Sequence, residues 1–167
     1  YIIPARGLIG FQTEFRTMTS GLGLLFHVFD HYAPVSEREI ASRQNGVMIS
    51  NGQGTVLGYS LFNLQERGKL MCAHGDEVYE GQVIGIHSRE NDLVVNPLKG
   101  KKLTNMRAAG KDENIVLTTP IRYTLEQAME FIEDDELVEI TPQSIRIRKR
   151  ALKELDRKRS GRVSESE

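Results

Sequence analysis

The first part of the chain contains one amphipathic segment followed by one apolar run. The apolar positions of the segment recur at spacings of three and four residues, which places them on one helical face. These residues are Leu8, Phe11, Phe15 and Met18. Pro4 suits the first turn of this helix, and Gly21 or Gly23 is predicted to end it. Residues 24–29 are nearly all apolar and predict a strand that is covered on both faces.

One helix and one strand cannot enclose a hydrophobic core by themselves. We therefore expect residues 1–44 to be the second half of an α/β domain whose first half belongs to a longer protein. The chain begins with Tyr1 rather than methionine, which favours the same interpretation. Residues 8–29 should then expose apolar surface, which a missing domain half or a neighbouring chain would cover.

From about residue 45 the pattern changes to short apolar segments separated by turns. Residues 47–50 and 55–59 flank Asn51-Gly52-Gln53-Gly54, which predicts a β-hairpin. Further strands are predicted at 78–79, 83–86, 93–95, 137–140 and 144–148. Short helices are predicted at 61–67 and at 151–159. Another is predicted to follow a capping box formed by Thr124 and Gln127. The strict alternation in 144–148 sends Ile145 and Ile147 inward.

These elements predict an α+β chain. Residues 45–160 are expected to form a small β-barrel-like domain with one or two helices, and residues 161–167 a disordered tail. The composition, with 39% hydrophobic and 27% charged residues, is that of a soluble globular protein. No apolar run approaches the roughly 20 residues of a membrane span. Cys72 is the single cysteine, which fits a reducing compartment and predicts a cytoplasmic protein without membrane partners.

The net charge of −1 hides a strong segregation of charge. Residues 112–139 contain nine carboxylates and one arginine, whereas residues 146–159 contain eight cations and two carboxylates. Between residues 96 and 112 lies a long segment with little to bury, and its five cations are Lys99, Lys101, Lys102, Arg107 and Lys111. A long loop of this kind is typically functional or disordered, and clustered cations indicate a polyanion partner.

The residues interspersed among these cations favour RNA over duplex DNA. Thr104 and Asn105 supply hydrogen-bonding groups, and Leu103 and Met106 supply apolar contacts. Such groups can meet bases and sugars while the cations meet phosphates, which suits irregular or single-stranded RNA. The alternative is an ordinary solvated loop.

Motifs for other chemistry are weak. Gly100 and Lys101 resemble part of a phosphate-binding P-loop, but Val95 and Lys102 stand where glycine and Ser or Thr are required. Residues 75–84 resemble a turn of lipoyl and biotinyl carrier domains, yet no carrier lysine with its usual neighbours is evident. The pair Cys72 and His74 has no third group to orient it. We expect His27 and His31 to be packing residues and 133–136 to be a solvated acidic turn rather than a metal site.

Several segments together resemble known translation factors. Residues 4–11, 14–15 and 19–23 resemble the last helix and strand of the fifth domain in the elongation factor G-like family. Residues 43–46, 65–68, 78–81, 101–107 and 134–142 resemble the C-terminal domain of the BipA/TypA family. The run Lys-Lys-Leu-Thr-Asn-Met-Arg is the most specific of these motifs, and the resemblance covers nearly the whole chain.

The resemblance implies a half ferredoxin-like domain followed by the BipA-type domain of a bacterial translational GTPase. Such proteins bind the 70S ribosome, act in stress response and support large-subunit assembly. Their GTP and Mg²⁺ lie in an N-terminal domain whose motifs are absent here, so this chain is expected to hold no cofactor and to be no enzyme.

Carried over residue by residue, the family's RNA-contacting loop corresponds to residues 99–111, which would meet 23S rRNA and the acceptor arm of an A-site tRNA. The predicted contacts in this loop are Lys99, Lys101, Lys102, Thr104, Asn105, Arg107 and Lys111. A second predicted patch consists of Arg146, Arg148, Lys149 and Arg150. The main alternative is a protein-interaction module in which the acidic segment 112–139 binds a ribosomal protein or another domain.

Overall fold

The computed structural model describes residues 1–8, 11–35, 43–100 and 115–164. These residues form a mixed α+β structure, as the sequence predicted. Its α-helices are α1 (Phe11–Met18), α2 (Gly58–Leu64), α3 (Leu125–Phe131) and α4 (Glu154–Ser164). Its strands are β1 (Val47–Ser50), β2 (Gly54–Thr55), β3 (Gly68–Leu70), β4 (Glu77–Val78), β5 (Val83–His87), β6 (Leu93–Val95), β7 (Glu136–Ile140) and β8 (Ile145–Lys149). Single 3₁₀ turns occupy Ala5–Leu8 and Gln65–Arg67.

The N-terminal part contains the predicted helix only from Phe11 onward, since Ala5–Leu8 form a 3₁₀ turn, and it lacks the predicted strand. Gly21 ends α1 in the left-handed conformation, with φ of +82°, and its N–H donates to the carbonyl of Arg16 at 2.7 Å. Residues 22–35 form no strand, because none of the described segments pairs with them. Leu24, Phe26 and Val28 are 81%, 86% and 90% exposed, so the expected apolar surface is present.

The predicted hairpin between residues 47–50 and 55–59 is wrong. β1 instead lies inside a four-stranded sheet of order β3-β5-β1-β6, where it pairs antiparallel to β5 and parallel to β6. β2 leaves this sheet and pairs with β4. All four residues of β1 are buried, so the strand is stabilised by neighbours on both edges and both faces rather than by the adjacent turn.

Two hydrophobic clusters lie on opposite faces of β1. Met48 belongs to the first, with residues from α2 such as Leu61 and with Cys72. Val47 and Ile49 belong to the second, which is completed by α3, by the β7–β8 hairpin and by side chains around them. The alternation of side chains along a strand therefore places α2 on one side of the sheet and the hairpin on the other.

The C-terminal elements follow the sequence closely. Thr124 caps α3, and Gln127 reciprocates in a complete capping box, as predicted. In the β7–β8 hairpin Ile147 is buried opposite Val138, whereas Ile145 lies near the turn and is exposed. The described part of residues 45–164 contains three α-helices rather than one or two, and α4 continues to Ser164, four residues into the predicted tail.

Candidate nucleic-acid interface

The predicted RNA-binding loop begins at a well-anchored turn after β6. The hydroxyl of Ser60 in α2 donates to the carbonyl of Asn96 at 2.5 Å, and Leu57 N–H donates to the carbonyl of Pro97 at 3.1 Å. Lys99 follows and is exposed. The remaining predicted contacts lie outside the described residues, and they are Lys101, Lys102, Thr104, Asn105, Arg107 and Lys111.

The chain re-enters the described structure at residue 115, again beside α2. Gln65, directly after α2, donates from Nε2 to the carbonyl of Val116 at 3.1 Å and accepts from Thr118 N–H at 3.0 Å. Residues 96–98 and 116–118 are thus both fixed to the α2 region. The basic segment therefore starts and ends on one side of the domain.

The second predicted patch is only partly available for a polyanion. Arg146 and Arg148 are partly buried and share the carboxylate of Glu139, each at 3.8 Å. Tyr79 donates its hydroxyl to the same carboxylate at 2.6 Å. Burial and this hydrogen bond together raise the pKa of Tyr79, so the phenol remains neutral. Arg150 is exposed, and in the described ranges its side chain forms no ion pair.

Lys149 does not belong to an exposed patch, and this part of the sequence prediction is wrong. Its side chain is 2% exposed, and its Nζ lies 2.6 Å from Asp92, 2.8 Å from Asp135 and 3.1 Å from Glu136. Burial lowers the pKa of the ammonium, but the hydrogen bonds to Asp135 and Asp92 outweigh it, and the net pKa is raised. Lys149 is therefore a charged core residue.

Arg43 completes this network from the other side, a role that no motif in the sequence predicted. Its guanidinium forms two parallel hydrogen bonds of 2.9 Å to the buried carboxylate of Glu136. It also contacts Glu133 at 3.3 Å and lies 4.4 Å from the ring centroid of Phe131. Because Arg43 precedes β1, these contacts fix the start of the domain to the hairpin.

The acidic residues after α3 are only partly the expected solvated turn, because Asp134 and Asp135 form an exposed turn whereas the side chain of Glu136 is buried. Glu133, Asp135 and Glu136 place carboxylate oxygens within 4.8 Å of one another, a spacing compatible with a metal ion. Arg43 and Lys149 already neutralise this cluster, so a cation would have to displace them. Burial raises the pKa of Glu133. Together with Asp92, the cluster is best described as an ion-pair network that joins four segments of the chain.

Cys72 has the properties of a core residue. Its side chain is buried in the first hydrophobic cluster. Burial, with a smaller contribution from the charge of Asp76, raises the pKa of the thiol to about 12. A thiol with this pKa is almost entirely protonated at neutral pH, which makes it a poor nucleophile.

Two protein-family models match the sequence of this chain. Residues 45–154 match the family described as the TypA/BipA C-terminal domain, and residues 1–43 match the family described as the elongation factor G C-terminus. The first match alone covers most of the chain. The chain therefore belongs to the TypA/BipA family, as its motifs predicted.

Curated relatives share about two thirds of the positions. The protein named "Large ribosomal subunit assembly factor BipA" of Escherichia coli strain K12 is 67% identical over 163 residues, or 98% of this chain. Its namesakes in Haemophilus influenzae and in Buchnera aphidicola subsp. Acyrthosiphon pisum are 66% and 61% identical over 166 residues. The chain spans about 27% of the length of these curated relatives. None of the helices in the described part of the chain could span a lipid bilayer.

Proposed function

We propose that this chain is the ribosome-binding C-terminal portion of a cytoplasmic translational GTPase. It contacts 23S rRNA and the acceptor arm of an A-site tRNA on the 70S ribosome, mainly through residues 99–111. The whole protein would then act in large-subunit assembly and in stress response. The observation that carries the proposal is family membership together with the basic composition of this loop.

The anchoring of residues 96–98 and 116–118 supports the same proposal. Segments fixed beside α2 on both sides of the basic residues would give these residues a rigid base, which would reduce the entropy lost on binding. The proposed contacts are Lys99, Lys101, Lys102, Thr104, Asn105, Arg107 and Lys111, with Arg146, Arg148 and Arg150 as a second group. Lys149 is removed from this group because its ammonium is buried and neutralised.

We also propose a division into residues 1–44, the second half of a ferredoxin-like domain, and 45–160, a barrel-like domain. The exposed apolar residues of 22–29 would be covered by the missing half or by a neighbouring chain. GTP and Mg²⁺ would be bound by another domain of the parent protein. This chain has no P-loop, since Val95 and Lys102 occupy two of its required positions.

Charge reversal in the loop tests the proposal. The double variant Lys101→Glu, Lys102→Glu should weaken association with 70S ribosomes in a pelleting assay at several salt concentrations. If all five cations of the loop meet phosphates, log affinity falls with log salt at a slope of about −3.5 to −4.5, and the variant should have a shallower slope. The matched control is Lys69→Glu with Arg89→Glu, which makes the same charge change at exposed positions on β3 and after β5. Binding that is equal in the loop variant and the control would contradict the proposal.

The protein-interaction alternative is weakened by the ion-pair network. Glu133 and Glu136 bind Arg43, and Asp135 binds Lys149, so these carboxylates are already engaged. Exposed acidic residues remain at Glu126, Glu130 and Asp134. Nuclease treatment separates the two candidates, because a protein-docking module retains its partner after RNA is digested.

A further inference from the structure

The C-terminal helix α4 contacts the rest of the described chain through its first turn. Glu154 N–H donates to the side chain of Glu80 at 3.3 Å, and Arg157 Nη1 donates to the carbonyls of Ala151, at 2.9 Å, and Leu152. Beyond these contacts the described part of the helix is exposed, including Leu155 at 69%. Because of this exposure, α4 gains little stability from the rest of the described chain. An isolated helix of 11 residues is itself marginal in water.

The attachment of this first turn is tight. Gly81 has φ of +85°, and a Cβ at this position would lie 2.6 Å from the backbone of Leu152. Lys149 N–H donates to the carbonyl of Gly81 at 2.9 Å, which fixes the chain just before the helix. The turn between β8 and α4 therefore leaves the domain at a defined place and in a defined direction.

The surface of this turn and helix is cationic. Its cations between 150 and 159 are Arg150, Lys153, Arg157, Lys158 and Arg159, opposed by two carboxylates. Lys158 pairs with Glu154 at 2.6 Å. Arg150, Lys153 and Arg159 are exposed and form no ion pair with another described residue. These three side chains are free to meet an anionic partner.

The chemistry of α4 favours RNA as that partner. A helix that docks in a protein groove uses apolar anchors at spacings of three and four residues, whereas Leu155 and Val163 are the two apolar residues in this helix. Its described cations are instead the consecutive residues Arg157, Lys158 and Arg159, and a helix rich in cations with no apolar stripe suits phosphates but not a hydrophobic groove. We propose that α4 and the preceding turn form a second RNA-binding surface that contacts the phosphate backbone through Arg150, Lys153 and Arg159.

This inference rests on the proposed function, since it requires that the protein binds RNA. The proposed surface on α4 and its preceding turn differs from the basic loop in two respects. The contacts are made by a turn and helix that the described structure already positions, and they involve phosphates rather than bases. Substitutions in α4 should therefore weaken binding to different RNA sequences to a similar extent.

The test compares three variants of the protein that contains this chain, using 70S ribosomes and a purified 23S rRNA fragment. Lys153→Gln with Arg159→Gln removes one cation from the turn and one from α4, and the control Lys69→Gln with Arg89→Gln removes two exposed cations elsewhere. The α4 variant should reduce the magnitude of the salt slope by about 2, whereas the control should leave it unchanged. Gly81→Ala keeps every charge but displaces the turn, and it should weaken binding without changing net charge.

The outcomes distinguish the two proposals. If the α4 variant and its control bind alike while the Lys101→Glu, Lys102→Glu variant is impaired, the inference about α4 is wrong and the proposed function stands. If the unaltered protein binds neither ribosomes nor RNA, the proposed function itself is wrong. An α4 variant that loses a partner resistant to nuclease would show an acidic protein at this surface and would overturn the RNA assignment. Thermal unfolding of every variant checks that the fold is retained.

Discussion

Replacement of Lys149 by methionine is the sharpest test of the buried ion-pair network. Methionine fills about the same space as the lysine stem but carries no charge. The variant leaves Asp92, Asp135 and Glu136 around a site without its ammonium. Glu136 is the critical member, because its side chain is 0% exposed, whereas the other two carboxylates reach water.

The expected loss in the free energy of unfolding is about 3 kcal/mol. Removing one partner of a buried ion pair costs roughly 3–5 kcal/mol, because an uncompensated charge remains in a medium that solvates it poorly. The lower end of this range of free-energy losses applies to Lys149→Met for two reasons. Arg43 still forms two hydrogen bonds with Glu136, and water can solvate the two outer aspartates.

Urea unfolding followed by circular dichroism measures this loss directly. The matched control is Arg150→Met at the next position, where the side chain is exposed and forms no ion pair with a described residue. It should change the free energy of unfolding by less than about 0.5 kcal/mol. A loss below about 1 kcal/mol for Lys149→Met, or equal losses for both variants, would refute the reasoning.

The pH dependence gives a second measurement on the same pair of proteins. Because the pKa of Lys149 is raised in the folded state, its contribution is complete below the ordinary lysine value of 10.5 and is lost as pH rises through the folded-state pKa. The stability difference between the native protein and Lys149→Met should therefore be constant from about pH 7 to 9 and shrink above 10.5. A difference that already shrinks between pH 7 and 9 would contradict the raised pKa.

Three further predictions concern single positions. Cys72 should react with a disulfide reagent at pH 7–8 far more slowly in the folded protein than in urea, because its thiol is buried and its pKa is raised to about 12; equal rates would contradict its core position. Thr124→Ala should reduce the free energy of unfolding by about 1 kcal/mol through loss of the α3 cap, whereas Thr124→Ser should retain most of it in the same urea assay. Gly68→Ala should lower the melting temperature measurably, because its Cβ would lie 1.9 Å from the carbonyl oxygen of Ile86; an unchanged melting curve would show that the two strands can separate at little cost.

Local signals in the sequence predicted local structure well. The helix after Thr124 and the strands β5 to β8 have caps, turns or alternation written in adjacent residues, and each lies within one or two residues of its predicted position. The end of α1 at Gly21 is of the same kind, because only a residue that tolerates positive φ can terminate the helix in this way. The pairing of the strands was harder to predict from the sequence. The glycine turn after β1 suggested a hairpin, but β1 pairs with strands 33 and 43 residues further along the chain.

The candidate site shows the same division. The basic loop was recognisable because its five cations are close in sequence, and no folded structure is needed to see them. Alternation along β8 places Lys149 on the inward face with Ile147, but the sequence does not show which carboxylates cover that face, and Lys149 was therefore assigned to the wrong environment. Its partner Asp92 lies 57 residues away in the chain, and an ion pair between residues so far apart produces no periodic pattern in the sequence.

The sequence by itself determined the class of this chain, its basic segment and most of its local elements, since these depend on neighbouring residues and on composition. The tertiary structure decided which charges are exposed, because burial depends on segments distant in the chain. Thus Arg150 faces solvent while the adjacent Lys149 is enclosed by Asp92, Asp135 and Glu136. Two neighbouring cations therefore have different roles, one on the surface and one in the core, because the hairpin turns one of them inward.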